Sequence, residues 1–303
     1  MVAALQITAL LVCACLSCSS AEHPLPATVA RDATLEEVYS EKLFFEGPAW
    51  DRAGKKLFFT AFKKDNQQIL RLDEKGKATV WLDKTEGVNG QRVSKDGRLI
   101  SAQAYGHRVM CYTFGENGPG ETKVLLENKE LNQPNDVWIA PDGTIYFTDP
   151  DFKEKKKSAV WRLKTDGSAE KLPITMTLPN GLAVSPDGKT LYVADSFEKL
   201  WRAFPIEADG KIGAGKVLFN PETDSKADPD GMTLDENGNI YATGRGGVWV
   251  FTPKGEELGF IPCPAFASNV TFGGEDGKTL LITGSNKVWS LRMTVRGIES
   301  RER

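Results

Sequence analysis

The sequence has 303 residues, of which 40% are hydrophobic and 26% are charged, and its formal net charge is −3. This ordinary globular composition is long enough to bury one large core, and it excludes a chain that is disordered or fibrous throughout. A nearly balanced charge lacks the basic face that nucleic acid or anionic lipid requires, so we expect the partner to be a small molecule.

The amino-terminal segment differs from the rest of the chain. Residues 2–16 are apolar and residues 17–21 are small and mostly polar, which is the order found in signal peptides, and the apolar run is short for a membrane span. We therefore predict a signal peptide over residues 1–21 and a secreted or periplasmic protein. Three of the five cysteines lie here, which leaves a lipid anchor open, and the other two, Cys111 and Cys263, are predicted to be buried apolar residues.

Residues 36–40 have the composition of a short strand, and from residue 44 onward the chain repeats itself six times. Each repeat contains a hairpin turn that carries glycine, usually after aspartate. The turn glycines, which are 39 to 50 residues apart, are Gly54, Gly97, Gly143, Gly188, Gly238 and Gly277. This period is typical of four-stranded propeller blades. The sequence thus predicts an all-β, six-bladed β-propeller over residues 34–293, closed by strand 36–40, with a carboxy-terminal tail over residues 294–303.

Two further strands follow each turn. The third strand of four repeats carries tryptophan at one position, namely Trp161, Trp201, Trp249 and Trp289. An aromatic ligand cage is one interpretation of this stripe, but equal positions in successive repeats favour packing between blades. We predict that these side chains lie in the core.

The turns also define a polar register. Every repeat has a carboxylate or amide eight residues before its turn glycine, and the six residues are Glu46, Asn89, Asn135, Asn180, Asp230 and Asn269. The first strand of a blade lines the central channel, so these positions should form a ring around it. Turn preference explains one or two such residues but not all six facing a channel where unpaired polar groups are costly.

Oxygen ligands without thiolate or imidazole favour a hard cation, and an irregular ring suits calcium better than magnesium. Zinc is disfavoured because the chain has two histidines, of which His23 lies near the predicted cleavage site. A catalytic serine triad would depend on His107 alone, with no Gly-x-Ser-x-Gly motif to partner it. His107 could border the pocket or serve a structural role.

The second strand of each hairpin returns to the level of the ring. Residues six or seven positions after the turn glycine are Thr60, Gln103, Asp149 and Asp195. Asp149 and Asp195 are therefore candidates to support the metal ligands or to act as a base. An equally weighted alternative is that both aspartates are turn formers.

Six short motifs of these repeats, taken together and in order, resemble the signature segments of the gluconolactonase family, also called the senescence marker protein 30 family. The motifs are EGPAW (46–50), PNDV (134–137), YFTDP (146–150), PNGLA (179–183), YVADS (192–196) and DPDGM (228–232). The similarity runs from about residue 44 to residue 289. Any one motif alone would be weak, but the ordered set is specific.

The resemblance implies a six-bladed propeller that holds one divalent metal ion, commonly calcium, and hydrolyses sugar lactones. It maps the metal ligands onto Glu46, Asn180 and Asp230 and places Asn135 beside the metal, where it touches the substrate or its water. Gln133 stands where some members have an arginine that contacts the sugar.

We further assign Asn89, Gln103 and His107 to the substrate pocket and Asn269 to a structural role. The expected reaction is calcium-dependent opening of a lactone ring, such as that of gluconolactone, with Asp230 as the base and Asp149 in reserve. The alternative is a non-catalytic propeller that calcium stabilises and that binds a protein or carbohydrate partner. A third possibility keeps the site but replaces the lactone with another ester or a phosphoester.

Overall fold

The computed structural model describes residues 23–300 except residues 65, 222–227 and 245. The predicted signal peptide therefore lies outside the described residues. Regular structure in the described part consists of strands grouped into six four-stranded sheets, with one 3-10 helix at Ile298–Ser300. This arrangement confirms the predicted six-bladed β-propeller.

Five blades take their four strands in chain order. The first three of these are β2 (Phe44–Asp51), β3 (Lys56–Lys63), β4 (Asn66–Leu72) and β5 (Ala78–Leu82); β6 (Val88–Val93), β7 (Arg98–Gln103), β8 (Arg108–Gly115) and β9 (Gly118–Glu127); and β10 (Val137–Ile139), β11 (Ile145–Asp149), β12 (Ala159–Leu163) and β13 (Ala169–Lys171). The next two are β14 (Pro179–Val184), β15 (Thr190–Asp195), β16 (Leu200–Pro205) and β17 (Lys216–Phe219); and β18 (Met232–Leu234), β19 (Ile240–Gly244), β20 (Gly247–Phe251) and β21 (Glu257–Pro262). The first strands of neighbouring blades contact one another around the axis.

The sixth blade is assembled from both ends of the described chain. It contains β22 (Ala267–Gly273), β23 (Thr279–Gly284), β24 (Lys287–Arg292) and, as its outer strand, β1 (Glu36–Ser40). Strand β1 pairs antiparallel with β24, so that Glu36 lies opposite Ser290. The prediction that residues 36–40 close the ring is thus confirmed.

The segment after the last strand stays attached to the propeller. Gly297 forms an isolated bridge with Asp235, and Glu299 forms an ion pair with Arg92 of β6. No helix in the described part of the chain is long and apolar enough to span a membrane.

The four aligned tryptophans are buried, with exposed fractions of 7% or less. The ring of Trp201 in the fourth blade lies 5.6 Å from the ring of Phe251 in the fifth. The predicted packing between blades is therefore confirmed, because aromatic pairs at this distance bury large apolar areas on both sides.

Candidate active site

One end of the central channel opens into a cavity of about 310 Å³ with a polar floor. Five of the six ring residues line it: Glu46, Asn89, Asn135, Asn180 and Asp230. The sequence register therefore places these side chains around one space, as predicted. The sixth, Asn269, lies outside the cavity and donates from Nδ2 to both carboxylate oxygens of Asp136 at 3.0 Å, which agrees with the structural role assigned to it.

Glycine after a ring residue lets neighbouring inner strands approach closely. A Cβ atom on Gly181 would lie 2.1 Å from the carbonyl oxygen of Asp230, and one on Gly231 would lie 2.0 Å from Cγ of Asn269. The backbone amide of Gly181 instead donates to the Asp230 carbonyl at 3.1 Å. Any larger residue would push the blades apart and widen the ring of side chains.

The floor of the cavity contains oxygen atoms that are buried and have no hydrogen-bond partner among the described residues. These atoms are Asn89 Oδ1, Asn135 Oδ1, Asn180 Oδ1 and Asp230 Oδ1. An isolated unsatisfied polar group in a protein interior costs about 1–3 kcal/mol, so four at one place indicate that a ligand completes the site. An oxygen-binding cation fits this donor set.

Carboxylates in and below the floor destabilise one another. Burial, followed by the charges of Asp230 and Asp136, raises the pKa of Glu46 well above its ordinary value. Burial and then Asp136 likewise raise the pKa of Asp230. Burial also raises the pKa of Asp136 to about 6, although the charge of Arg92 opposes this shift. A cation at the floor would favour the ionised carboxylates and reverse these shifts.

The donor set also discriminates between metals. In the described part of the chain no group of three or more His, Cys, Asp or Glu side chains is arranged to hold a metal ion. Any cation at the floor must therefore take amide oxygens as well as the Glu46 and Asp230 carboxylates, which suits calcium and disfavours zinc.

Most of the chain is similar to known proteins. The sequence profile of the SMP-30/Gluconolactonase/LRE-like region matches residues 44–286, which include every ring residue. The chain belongs to the SMP-30/gluconolactonase family. Gluconolactonase from Zymomonas mobilis is 30% identical to it over 90% of this chain and 85% of the relative, and a pentonolactonase from Haloferax volcanii is 28% identical over 78% and 80%. The solved structure of a gluconolactonase from Xanthomonas campestris is 31% identical, with a TM-score of 0.77 over 88% of this chain and 92% of that one.

In this SMP-30/gluconolactonase propeller, Asp149 lies behind the cavity wall and is fully buried. Its carboxylate accepts hydrogen bonds from the backbone amides of Asn132 and Gln133, both at 2.8 Å. Burial raises the pKa of Asp149 to about 6. Asp149 thus fastens the loop that leads to Asn135, and the structure favours the supporting role over the role of a base.

Asp195 accepts backbone amides in the same way in the next blade. It too is fully buried, and it accepts from the backbone amides of Thr177 at 2.9 Å and Leu178 at 3.2 Å. The following residue, Ser196, receives a hydrogen bond from Nδ2 of Asn180 at 3.1 Å. This bond uses one N–H of the Asn180 amide, and Oδ1 of the same side chain is one of the unpartnered oxygens.

Two residues that the sequence assigned to the substrate pocket lie elsewhere. Gln103 is buried and donates from Nε2 to the Tyr112 hydroxyl at 3.2 Å. The Nδ1 atom of His107 lies 2.7 Å from the carbonyl oxygen of Leu131, and neither residue lines the cavity. Both side chains are engaged in contacts within the second and third blades, and their role in substrate binding stays a prediction.

Among the residues that sequence analysis missed are Asp136, whose charge acts on Glu46 and Asp230, and the aromatic residues Phe62, Tyr105 and Phe152 in the cavity wall. A signal for Asp136 was present, because four of the six ring residues are followed by glycine whereas Asn135 is followed by this acid. The aromatic residues also had a signal, since each lies two or three positions after a residue that returns to the ring level.

Proposed function

We propose that this protein hydrolyses sugar lactones such as gluconolactone and that a divalent cation, calcium, is required. The names of the relatives support lactone hydrolysis. The observation that carries the proposal is the set of four unpartnered, buried oxygens on the floor of an open cavity. A purely structural ion would not need a cavity above it, whereas a hydrolytic site must admit substrate and water.

The residues that would hold the cation are Glu46, Asn180 and Asp230, with Asn135 as a further ligand or substrate contact. Two carboxylates balance the charge of a divalent ion, and the amides supply neutral oxygens. When bound, the cation supplies positive charge that polarises the lactone carbonyl and stabilises negative charge on its oxygen.

Asp230 is the proposed proton acceptor in the reaction. Water forms a bond to the carbonyl carbon, Asp230 accepts the proton that the water loses, and the ring C–O bond breaks. The proton then passes to the departing ring oxygen, which leaves as the hydroxyl group of the open-chain acid. Because Asp230 has two carboxylate oxygens, metal binding and proton acceptance can fall on different atoms. Asn89 and Asn135 line the same cavity and are suited to orienting the substrate.

A pH-indicator assay of the purified protein tests the proposal. Hydrolysis of gluconolactone above the rate without protein is expected with calcium present, and a chelator should abolish it. Calcium should also raise the melting temperature, because an ion present at ~1,000 times its Kd stabilises the folded state by about 4 kcal/mol. Calcium binding without hydrolysis of any sugar, aliphatic or aryl lactone would refute the proposed activity and favour the non-catalytic alternative. No thermal shift with any divalent ion would refute the metal site.

Export remains part of the proposal. The apolar run at residues 2–16 supports a secreted or periplasmic location, with or without a lipid anchor. Mass spectrometry of the mature amino terminus tests it, and a protein that retains Met1 and the following apolar run would contradict cleavage at the predicted site.

A further inference from the structure

Aromatic side chains from three successive blades form part of the wall above the polar floor. Phe62, Tyr105 and Phe152 line the cavity together with the ring residues. Tyr105 is 62% exposed and Phe152 is 42% exposed, whereas the floor residues Asn135 and Asp230 are 2% and 8% exposed. The aromatic surface therefore lies at the rim, where substrate beyond the reacting ring would extend.

The Tyr105 ring lies against the backbone of residues 86–87. The Tyr105 backbone amide donates to the carbonyl oxygen of Glu86 at 3.1 Å. A Cβ atom on Gly87, where φ is +86°, would lie 2.7 Å from Cδ2 of Tyr105, so glycine at this position lets the ring rest on the loop.

The other two aromatic side chains also have defined supports. Phe44 packs edge-on against Phe62, with 5.6 Å between the ring centroids. The loop that carries Phe152 is ordered by Asp151, whose carboxylate accepts the backbone amides of Glu154 at 3.0 Å and Lys156 at 3.2 Å.

Aromatic side chains that line a cavity together with a few polar groups are typical of ligand pockets. The same wall contains the carboxamide side chains of Gln67 and Gln133, which both donate and accept hydrogen bonds. Aromatic faces next to carboxamides match a sugar ring, which has an apolar C–H face and a rim of hydroxyl groups. They match an alkyl chain less well, since it would leave the carboxamides unpaired.

We propose that Tyr105, Phe152 and Phe62 form a subsite for a glycosyl group attached to the lactone, so that the preferred substrate is the lactone of an oxidised disaccharide. This inference rests on the proposed lactonase function and specifies its substrate class. The lactone ring occupies the polar floor, and the second sugar stacks on the aromatic wall.

The fourth blade provides a matched control. Phe197 stands two residues after Asp195, as Tyr105 stands two residues after Gln103, and it is 56% exposed. It lies outside the residues that line the cavity, and Lys155 Nζ is 5.7 Å from the centroid of its ring. Phe197→Ala therefore removes a similarly exposed aromatic ring that does not line the cavity.

The test compares kcat/KM for cellobiono-δ-lactone and glucono-δ-lactone in the parent protein and in Tyr105→Ala, Phe152→Ala and Phe197→Ala. The parent should prefer the disaccharide lactone. Tyr105→Ala and Phe152→Ala should each lower kcat/KM for that substrate about 3- to 10-fold, a range that follows from the energy of one aromatic contact, and should change it less than about 2-fold for gluconolactone. Tyr105→Phe should retain the preference, because it keeps the ring, and Phe197→Ala should have no effect.

Equal kcat/KM values for the two lactones would overturn the inference, as would an equal loss in Phe197→Ala. A higher kcat/KM for a phenyl-substituted lactone than for the disaccharide lactone would overturn the assignment of the subsite to a glycosyl group. A binding measurement separates this inference from the proposed function. Calorimetry should show cellobionate binding more tightly than gluconate in the parent and losing that advantage in Tyr105→Ala, whether or not any lactone is hydrolysed.

Discussion

The carboxy-terminal segment is expected to stabilise the propeller through one ion pair with strand β6 of the second blade. Glu299, in the 3-10 helix, pairs with Arg92 of β6, and the side chains are 28% and 10% exposed. The Arg92 guanidinium also lies 3.9 Å from the centroid of the Trp138 ring. Arg92 is buried, which lowers its pKa, so its charge depends on the partners around it.

Glu299→Ala would leave the Arg92 charge buried without its ion-pair partner, with Asp136 as the remaining acid that acts on it. Breaking a fully buried pair in this way costs about 3–5 kcal/mol, and because Glu299 retains some solvent contact we expect a loss of about 2–3 kcal/mol. The pair between Arg98 and Asp96 provides the comparison, since those side chains are 43% and 55% exposed. Asp96→Ala should cost at most about 1 kcal/mol.

Urea denaturation measures the free energy of unfolding of each variant. The double variant Arg92→Met with Glu299→Leu should lose less stability than the sum of the losses in the two single variants, because each single change already breaks the same pair. A loss of stability in Glu299→Ala no larger than that in Asp96→Ala would contradict the prediction. A loss in the double variant equal to the sum of the losses in the two single variants would contradict it as well.

Three further outcomes are expected. At saturating calcium, Asp230→Asn should lower lactone turnover about 100- to 10,000-fold, because an amide cannot accept the proton. Excess calcium should instead restore much of the activity of Glu46→Gln. Steady-state assays over a calcium series distinguish the two variants, and near-normal turnover in Asp230→Asn would exclude Asp230 as the base. His107→Ala should retain substantial turnover and lose about 1 kcal/mol of stability with its contact to the Leu131 carbonyl; complete inactivity with calcium still bound would favour a histidine base. Burial raises the pKa of Asp149 from 3.8 to about 6, so the folded protein holds the Asp149 proton more tightly than the unfolded chain does. The free energy of unfolding relative to that of Asp149→Asn should therefore fall as the pH rises from about 4 to about 6. Denaturation curves over this pH range measure the difference, and a difference that grows with pH would contradict the prediction.

The repeated turns made the blade count and the ring predictable. A hairpin turn needs particular residues at particular positions, and the six turn glycines therefore reported both the period and the register. The spacing from these glycines predicts that Glu46, Asn180 and Asp230 face one space, and all three line the cavity. The outer strand β1 was also predictable, because the last repeat lacked one strand and residues 36–40 were available to supply it.

It was harder to predict on which face of its strand each residue near the ring lies. Pairing between the first and second strands shifts register between Glu46 and Ala49, between Val88 and Gln91, and between Pro179 and Leu182. Such bulges interrupt the simple alternation of faces on which a count along the sequence depends. Gln103 was accordingly assigned to the pocket but packs on Tyr112.

The polar register, the blade number and the closing strand were properties of the sequence alone, because each follows from local turn chemistry repeated at a fixed spacing. The tertiary structure decided which side chains share a space. Asp136 meets Asn269 across 133 positions of the chain, and Phe62, Tyr105 and Phe152 meet only because closing the ring brings three blades to one cavity. Contacts of this kind depend on the distance between blades around the axis, which no local pattern within a single repeat encodes.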